Sequence, residues 1–181
     1  EKYLNIWLMS ETKYPKFWNS ITKLCVPKYR LGSETLPGLS LPPVPSTWVP
    51  KVEQIGILFR MSTFQYFQRS IDATAERELV TCIGNYLGLL DTWKINNSNV
   101  NDQCNDTFAY GIVNNNGSLG TNSSWSKEVG SYRFLSENIM DDPTGTHRSV
   151  SKDQALRMYW VLKNCAGRSM WQSDFALTGK E

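Results

Sequence analysis

The chain carries a single histidine, His147, and none of its four cysteines (Cys25, Cys82, Cys104, Cys165) belongs to a Cys-x-x-Cys pair. A zinc site therefore has almost no ligand set, and no other metal or cofactor is expected. No apolar run reaches the roughly 18 residues that a membrane-spanning helix needs. The first apolar stretch, Leu4 to Met9, is too short for a signal peptide's hydrophobic region. Lys plus Arg number 19 against 17 for Asp plus Glu, with no basic run, so the clustered positive footprint of a nucleic-acid binder is missing. There is no glycine-rich, phosphate-cradling loop either. What remains is 181 residues, 40% hydrophobic, with seven Trp and eight Pro. That composition excludes disorder and suits one compact core better than two. It reads as a mature, soluble piece of a larger protein.

Glycosylation acceptors point to the compartment. Asn96, Asn105, Asn116 and Asn122 each open an Asn-x-Ser/Thr triplet, and all four fall in one Asn-rich stretch. With an even cysteine count, they place the protein outside the cell or on its surface, with two disulfides. Four cysteines allow three pairings.

Along the chain, residues 3–9 read as a strand apolar on both faces, and residues 17–26 as its partner. Five prolines between Pro27 and Pro45 forbid a helix or a central strand there. From Thr47 the pattern turns helical: Ile55, Leu58, Phe59, Ser62, Tyr66 and Arg69, then Ala75, Leu79, Cys82, Ile83, Tyr86 and Leu90, follow a 3–4 spacing. The expectation is a bent helix over residues 48–89 with Cys82 on its inward stripe. Strand character returns at 92–95, 108–113 and 131–136, with Asn114-Asn-Asn-Gly117 as a turn-forming tract. Ser151 and Gln154 have capping-box spacing ahead of a second helix whose inward stripe includes Cys165.

Residues 1–90 and 91–181 thus repeat one order, strands then helix, together making one α+β domain. Each half holds two cysteines. The natural pairing is Cys25–Cys82 and Cys104–Cys165, each stapling a helix to its own sheet and worth roughly 4 kcal/mol on the chain-entropy model.

Candidate chemistry is thin. His147 lies in Thr-Gly-Thr-His-Arg, which reads as a solvent loop. Asp141-Asp142 and the Glu76/Glu78 pair lie in polar contexts, so they read as solvated rather than catalytic. The tryptophans are spread as core residues would be, although a carbohydrate platform is the rival reading. No nucleophile has a base beside it, and an enzyme is not expected.

The late pair Cys104 and Cys165, Trp48 after the proline-rich link, and the end Leu177-Thr-Gly-Lys-Glu181 carry a likeness. The whole chain resembles the α1–α2 platform of MHC class I-like proteins, as a divergent member. That resemblance implies an antiparallel sheet covered on one face by two long bent helices. A Cys25–Cys82 bridge is similar to one in some divergent ligands of natural killer receptors. Trp7 on the first strand, and no Lys–Trp pair in 151–165, remove the family's peptide-end pockets, so no presented peptide is expected. Glycans at Asn96 and Asn105 would obstruct the underside where the class I light chain sits.

The resemblance implies a protein that binds an immune receptor or a class I-related ligand, with virus-encoded immune-evasion proteins as the leading subgroup. Rival readings are a host ligand of an activating killer-cell receptor and a lipid binder with Phe59, Phe64, Tyr66 and Phe67 between the helices. A viral attachment domain of another fold is the third. The expected contact surface is the helices, through Arg60, Gln65, Gln68 and Arg69 on the first and Arg157 and Lys163 on the second.

Overall fold

The computed structural model describes residues 4–9, 23–26, 56–61, 73–95, 100–112, 126–129, 132–142, 147–164 and 170. In the first half, β1 (Asn5–Met9), β2 (Lys23–Val26) and β3 (Gly56–Arg60) form one sheet, followed by helix α1 (Ala73–Tyr86). The second half holds β4 (Trp93–Ile95), β5 (Tyr110–Ile112), β6 (Ser126–Val129), β7 (Tyr132–Leu135) and helix α2 (Lys152–Asn164).

The helical reading of residues 48–89 is corrected at 56–60. Those residues are the central strand of the first sheet, in the order β1-β3-β2. β3 runs parallel to β1, Asn5 opposite Gly56, and antiparallel to β2, Cys25 opposite Ile57. The physical reason is alternation: Ile57 and Phe59 are buried together on one face, where a strand puts residues two apart. They meet Cys82 and Tyr86 of α1, with Leu4, Leu8, Leu79, Ile83, Leu87 and Met170 packed around them. Phe59 therefore belongs to this core. Ile6, expected to be covered, is 42% exposed. On the sheet's other face Gly56 lets the chains close up. A Cβ there would overlap the Asn5 carbonyl and come within 2.6 Å of the Trp7 ring.

α1 ends in a Schellman motif. Leu89 N–H donates to Gly84 O at 2.9 Å and Gly88 N–H to Asn85 O at 3.0 Å. Gly88 takes the left-handed φ of 88° that the motif requires. Gly84 lies against the second half, because a Cβ there would sit 2.6 Å from Met140 Sδ.

In the second half β4 pairs with β5 in parallel, and β6 with β7 as an antiparallel hairpin, Val129 opposite Tyr132. The hairpin falls later than the Asn114–Gly117 tract, which lies outside the described residues. Where an antiparallel sheet was expected, two of the four described pairings are parallel.

Helix α2 starts as its capping box predicts. Gln154 N–H donates to Ser151 Oγ at 3.2 Å, and Ser151 N–H to Gln154 Oε1 at 3.0 Å. Asp106 adds a second cap, accepting from Ser151 Oγ and from Asp153 N–H. Among the described residues, no helix is long and apolar enough to cross a membrane.

Candidate functional site

The second half buries polar groups. The turn 138–142 runs beside residues 148–149, Ile139 N–H donating to Ser149 O. It delivers two consecutive carboxylates, Asp141 and Asp142, into the interior. The expectation that this pair is solvated is corrected by this turn.

Asp142 is saturated. Its Oδ2 accepts the Tyr110 hydroxyl at 2.7 Å and Lys127 Nζ at 2.9 Å. The Lys127–Asp142 pair is sealed, with side chains 0% and 1% exposed. Burial first, then the charges of Asp141 and Asp142, hold the Tyr110 hydroxyl protonated far above its usual range. His147, expected in a solvent loop, is also buried. Its Nε2 lies 3.0 Å from Asp142 O and its Nδ1 3.3 Å from Thr81 Oγ1 of α1. A carbonyl only accepts, so Nε2 carries a proton. His147 takes φ 52°, a conformation uncommon outside glycine.

Asp141 is not saturated. Its Oδ1 accepts the Thr92 hydroxyl at 2.9 Å. Its Oδ2 is buried and receives no hydrogen bond. Asp141 also contributes to the wall of a cavity of about 380 Å3, together with Thr92, Asp106, Glu137, Phe108 and Phe134. Phe108 and Phe134 stand with ring centroids 4.5 Å apart, and Tyr110 meets Phe134 edge-on at 5.5 Å. An aromatic row therefore runs from the cavity to the sealed Asp142 cluster. Leu135 and Val150, also in the wall, are exposed.

Among the described lining residues, Ser136, Ser149, Ser151 and Thr107 supply hydroxyls to the wall, and none is a histidine or lysine. Cys104 is a poor nucleophile as a thiol: burial, then the Asp102 charge, push it up to about 11. Among the described residues no group of His, Cys, Asp and Glu could hold a metal ion.

Of the residues expected to bind a partner, Arg60, Arg157 and Lys163 are described. Arg157 is corrected outright. It is 6% exposed, and its Nε donates to Gly88 O at 2.6 Å, capping the end of α1. Burial draws its pKa down from the ordinary arginine range. Lys163 is exposed on α2, and Arg60 ends β3 opposite Met9. Gln65, Gln68 and Arg69 lie outside the described residues, as do Phe64, Tyr66 and Phe67. Of the glycan acceptors, Asn105 is described and exposed, beside the cavity residue Asp106, while Asn96, Asn116 and Asn122 lie outside.

The disulfide expectation meets the same boundary. Cys25 holds the register position opposite Ile57, the residue that packs with Cys82. Cys104 is half-buried, and Cys165 lies outside the described residues.

Lys127, Tyr110 and the Phe108–Phe134 pair were not singled out from sequence, and Asp141 was named there only as a solvated carboxylate. They come from four separate segments, and no spacing links them. Compared with known proteins, the chain matches no family model, no curated protein and no solved structure.

Proposed function

We propose that this chain is an extracellular protein-binding module that engages an immune receptor or a class I-related ligand, in the manner of virus-encoded immune-evasion proteins, without presenting peptide. One observation carries the binding reading. Large apolar side chains stay in water on the second half: Leu135 65%, Tyr159 57%, Leu156 56% and Phe108 50% exposed. Leu156 and Tyr159 are three residues apart on α2, so they share a helix face. Scattered apolar residues are ordinary on a surface, whereas a grouped set marks an interaction site. Tyr and other aromatic anchors dominate interface energetics.

The immune assignment rests on the likeness to class I platforms, together with the exposed acceptor at Asn105. The α2 contact expected through Arg157 passes to Leu156 and Tyr159. A screen of the glycosylated protein against killer-cell receptors and class I-related proteins tests the reading. The expected result is one saturable partner, bound at least tenfold more weakly after Leu156→Ala with Tyr159→Ala. No partner in that screen, or stoichiometric short peptides released by acid, would count against it.

A further inference from the structure

His147 joins the two halves, and what it does there is independent of any receptor. We propose that its ring is a proton-operated clasp between α1 and the 138–142 turn, closed by acid and one hydrogen bond short when the ring is neutral.

The ring sits in a chain of three contacts. Nε2 faces the Asp142 carbonyl at 3.0 Å, so Nε2 supplies the proton of that bond. Thr81 Oγ1 donates its own proton to Ile139 O at 2.9 Å. The third contact, Nδ1 to Thr81 Oγ1 at 3.3 Å, then needs a proton from Nδ1. A neutral ring holds one proton and has none left for it. In that state the Thr81 hydroxyl must choose between Nδ1 and Ile139 O. An imidazolium holds two protons, and all three bonds stand together. Thr81 and His147 are both buried, so bulk water does not stand in for the bond that is given up. One added proton thus ties α1, in the first half, to two carbonyls of the second.

The charges on both sides favour that proton. Among the described residues, the buried side-chain atoms without a hydrogen-bond partner are Glu78 Oε2 and Asp141 Oδ2. Glu78 is three residues before Thr81 on α1, which places both on one helix face. Asp141 is the chain neighbour of Asp142. Each half therefore brings one carboxylate toward the ring's contacts, and nearby carboxylates favour the charged form of an imidazole. Arg77 stands four positions before Thr81. The Asp142 carboxylate is already met by Lys127 and the Tyr110 hydroxyl. Arg148 and Glu137, of opposite sign, are exposed, where water screens them. Because protonation adds a bond to the fold, folding takes up a proton, and the stability it adds is present in acid and lost as pH rises. Histidine is the side chain whose charge changes between pH 5 and 8.

His147 is the sole histidine of the chain, so nuclear magnetic resonance of the intact protein reads its ring without ambiguity. The ring should carry a proton on Nε2 alone at pH 8 and on both nitrogens at pH 5. Unfolding of the wild type, His147→Gln, Thr81→Val and the double variant should give a coupling of about fivefold in the unfolding constant at pH 5 and none at pH 8. Thr81→Ser, which keeps the hydroxyl, should retain it. Should His147→Gln fail to fold, Thr81→Val alone carries the test, and should move the ring's titration to lower pH. Ring signals that stay fixed from pH 5 to 8 would overturn the proposal. So would a coupling equal at the two pH values, or a ring titration unchanged in Thr81→Val.

Discussion

The two halves of the molecule bury different chemistry. The described core of the first is Ile57, Phe59, Cys82 and Tyr86, apolar apart from one hydroxyl and one sulfur, and Thr81 is the one polar residue buried among its described residues. The second buries Lys127, Asp142, Asp141, Asp102, Asn138, Gln154 and Arg157 alongside Met140 and Val161. An apolar core is tolerant, because any well-shaped hydrophobic group recovers most of the burial energy. A polar interior is exacting, since each group needs its particular partner and loses heavily without it. Asn138 and Gln154 illustrate this by exchanging two amide hydrogen bonds, at 2.7 and 3.0 Å. The second half should therefore be the more sensitive to single conservative changes.

Four substitutions or conditions sharpen that contrast. The largest effect is expected for Lys127→Met, which strands Asp142 as a buried, uncompensated charge. Such a loss costs about 3–5 kcal/mol, whereas Ile57→Val in the apolar core costs about 1 kcal/mol. Denaturant titration of both variants checks the ratio, and equal losses would break the comparison. Next comes Arg157→Met, which keeps the aliphatic stem but leaves Gly88 O without its donor. A loss of about 2 kcal/mol is expected, with faster amide exchange at the end of α1.

Ser151→Ala removes half of the α2 capping box and should cost about 1 kcal/mol, read as a lower unfolding midpoint. The smallest effect is in pH. The Ser151 hydroxyl, then the Asp153 backbone N–H, hold the Asp106 carboxyl below its ordinary 3.8. A carboxyl lowered in the folded state adds stability above its unfolded pKa, and that stability is lost as pH falls through the folded value. The acid limb of the stability profile should flatten in Ser151→Ala, and an unchanged limb would show that this cap is electrostatically silent.

How much of this was legible in the sequence depended on how local each signal was. The α2 start was legible because Ser151 and Gln154 are three residues apart and satisfy each other directly. β1 and β7 were legible from short runs of strand-forming residues. β3 was not. Residues 55–59 are apolar at nearly every position, so they satisfy a helical spacing and a strand alternation alike. Only pairing with β1, from a distant part of the chain, decides between them. The β6–β7 hairpin carried a signal that was passed over, Gly130-Ser131 between two strand-like runs. The cavity had none, because Thr92, Phe108, Phe134 and Asp141 meet only through tertiary structure. Nor does sequence pattern say that Asp142 finds a lysine and its neighbour does not.

The parallel pairing of β1 with β3 sets a timetable. Asn5 finds its place opposite Gly56, so β1 leaves the ribosome some fifty residues before the strand that receives it. β2 and β3 close a shorter loop, and closure entropy rises with loop length. Assembly of the first sheet should begin with β2 and β3, with β1 docking afterwards as the last edge. Pulse-labelled amide exchange during refolding would reveal this order as late protection of Leu8 relative to Ile57, and simultaneous protection would show that the sheet forms in one step. Until β1 docks, Ile57 and Phe59 depend on α1 for cover, and the strand edge of β3 stands open. That interval is when a chaperone, or a second unfinished chain, would find this protein most adhesive.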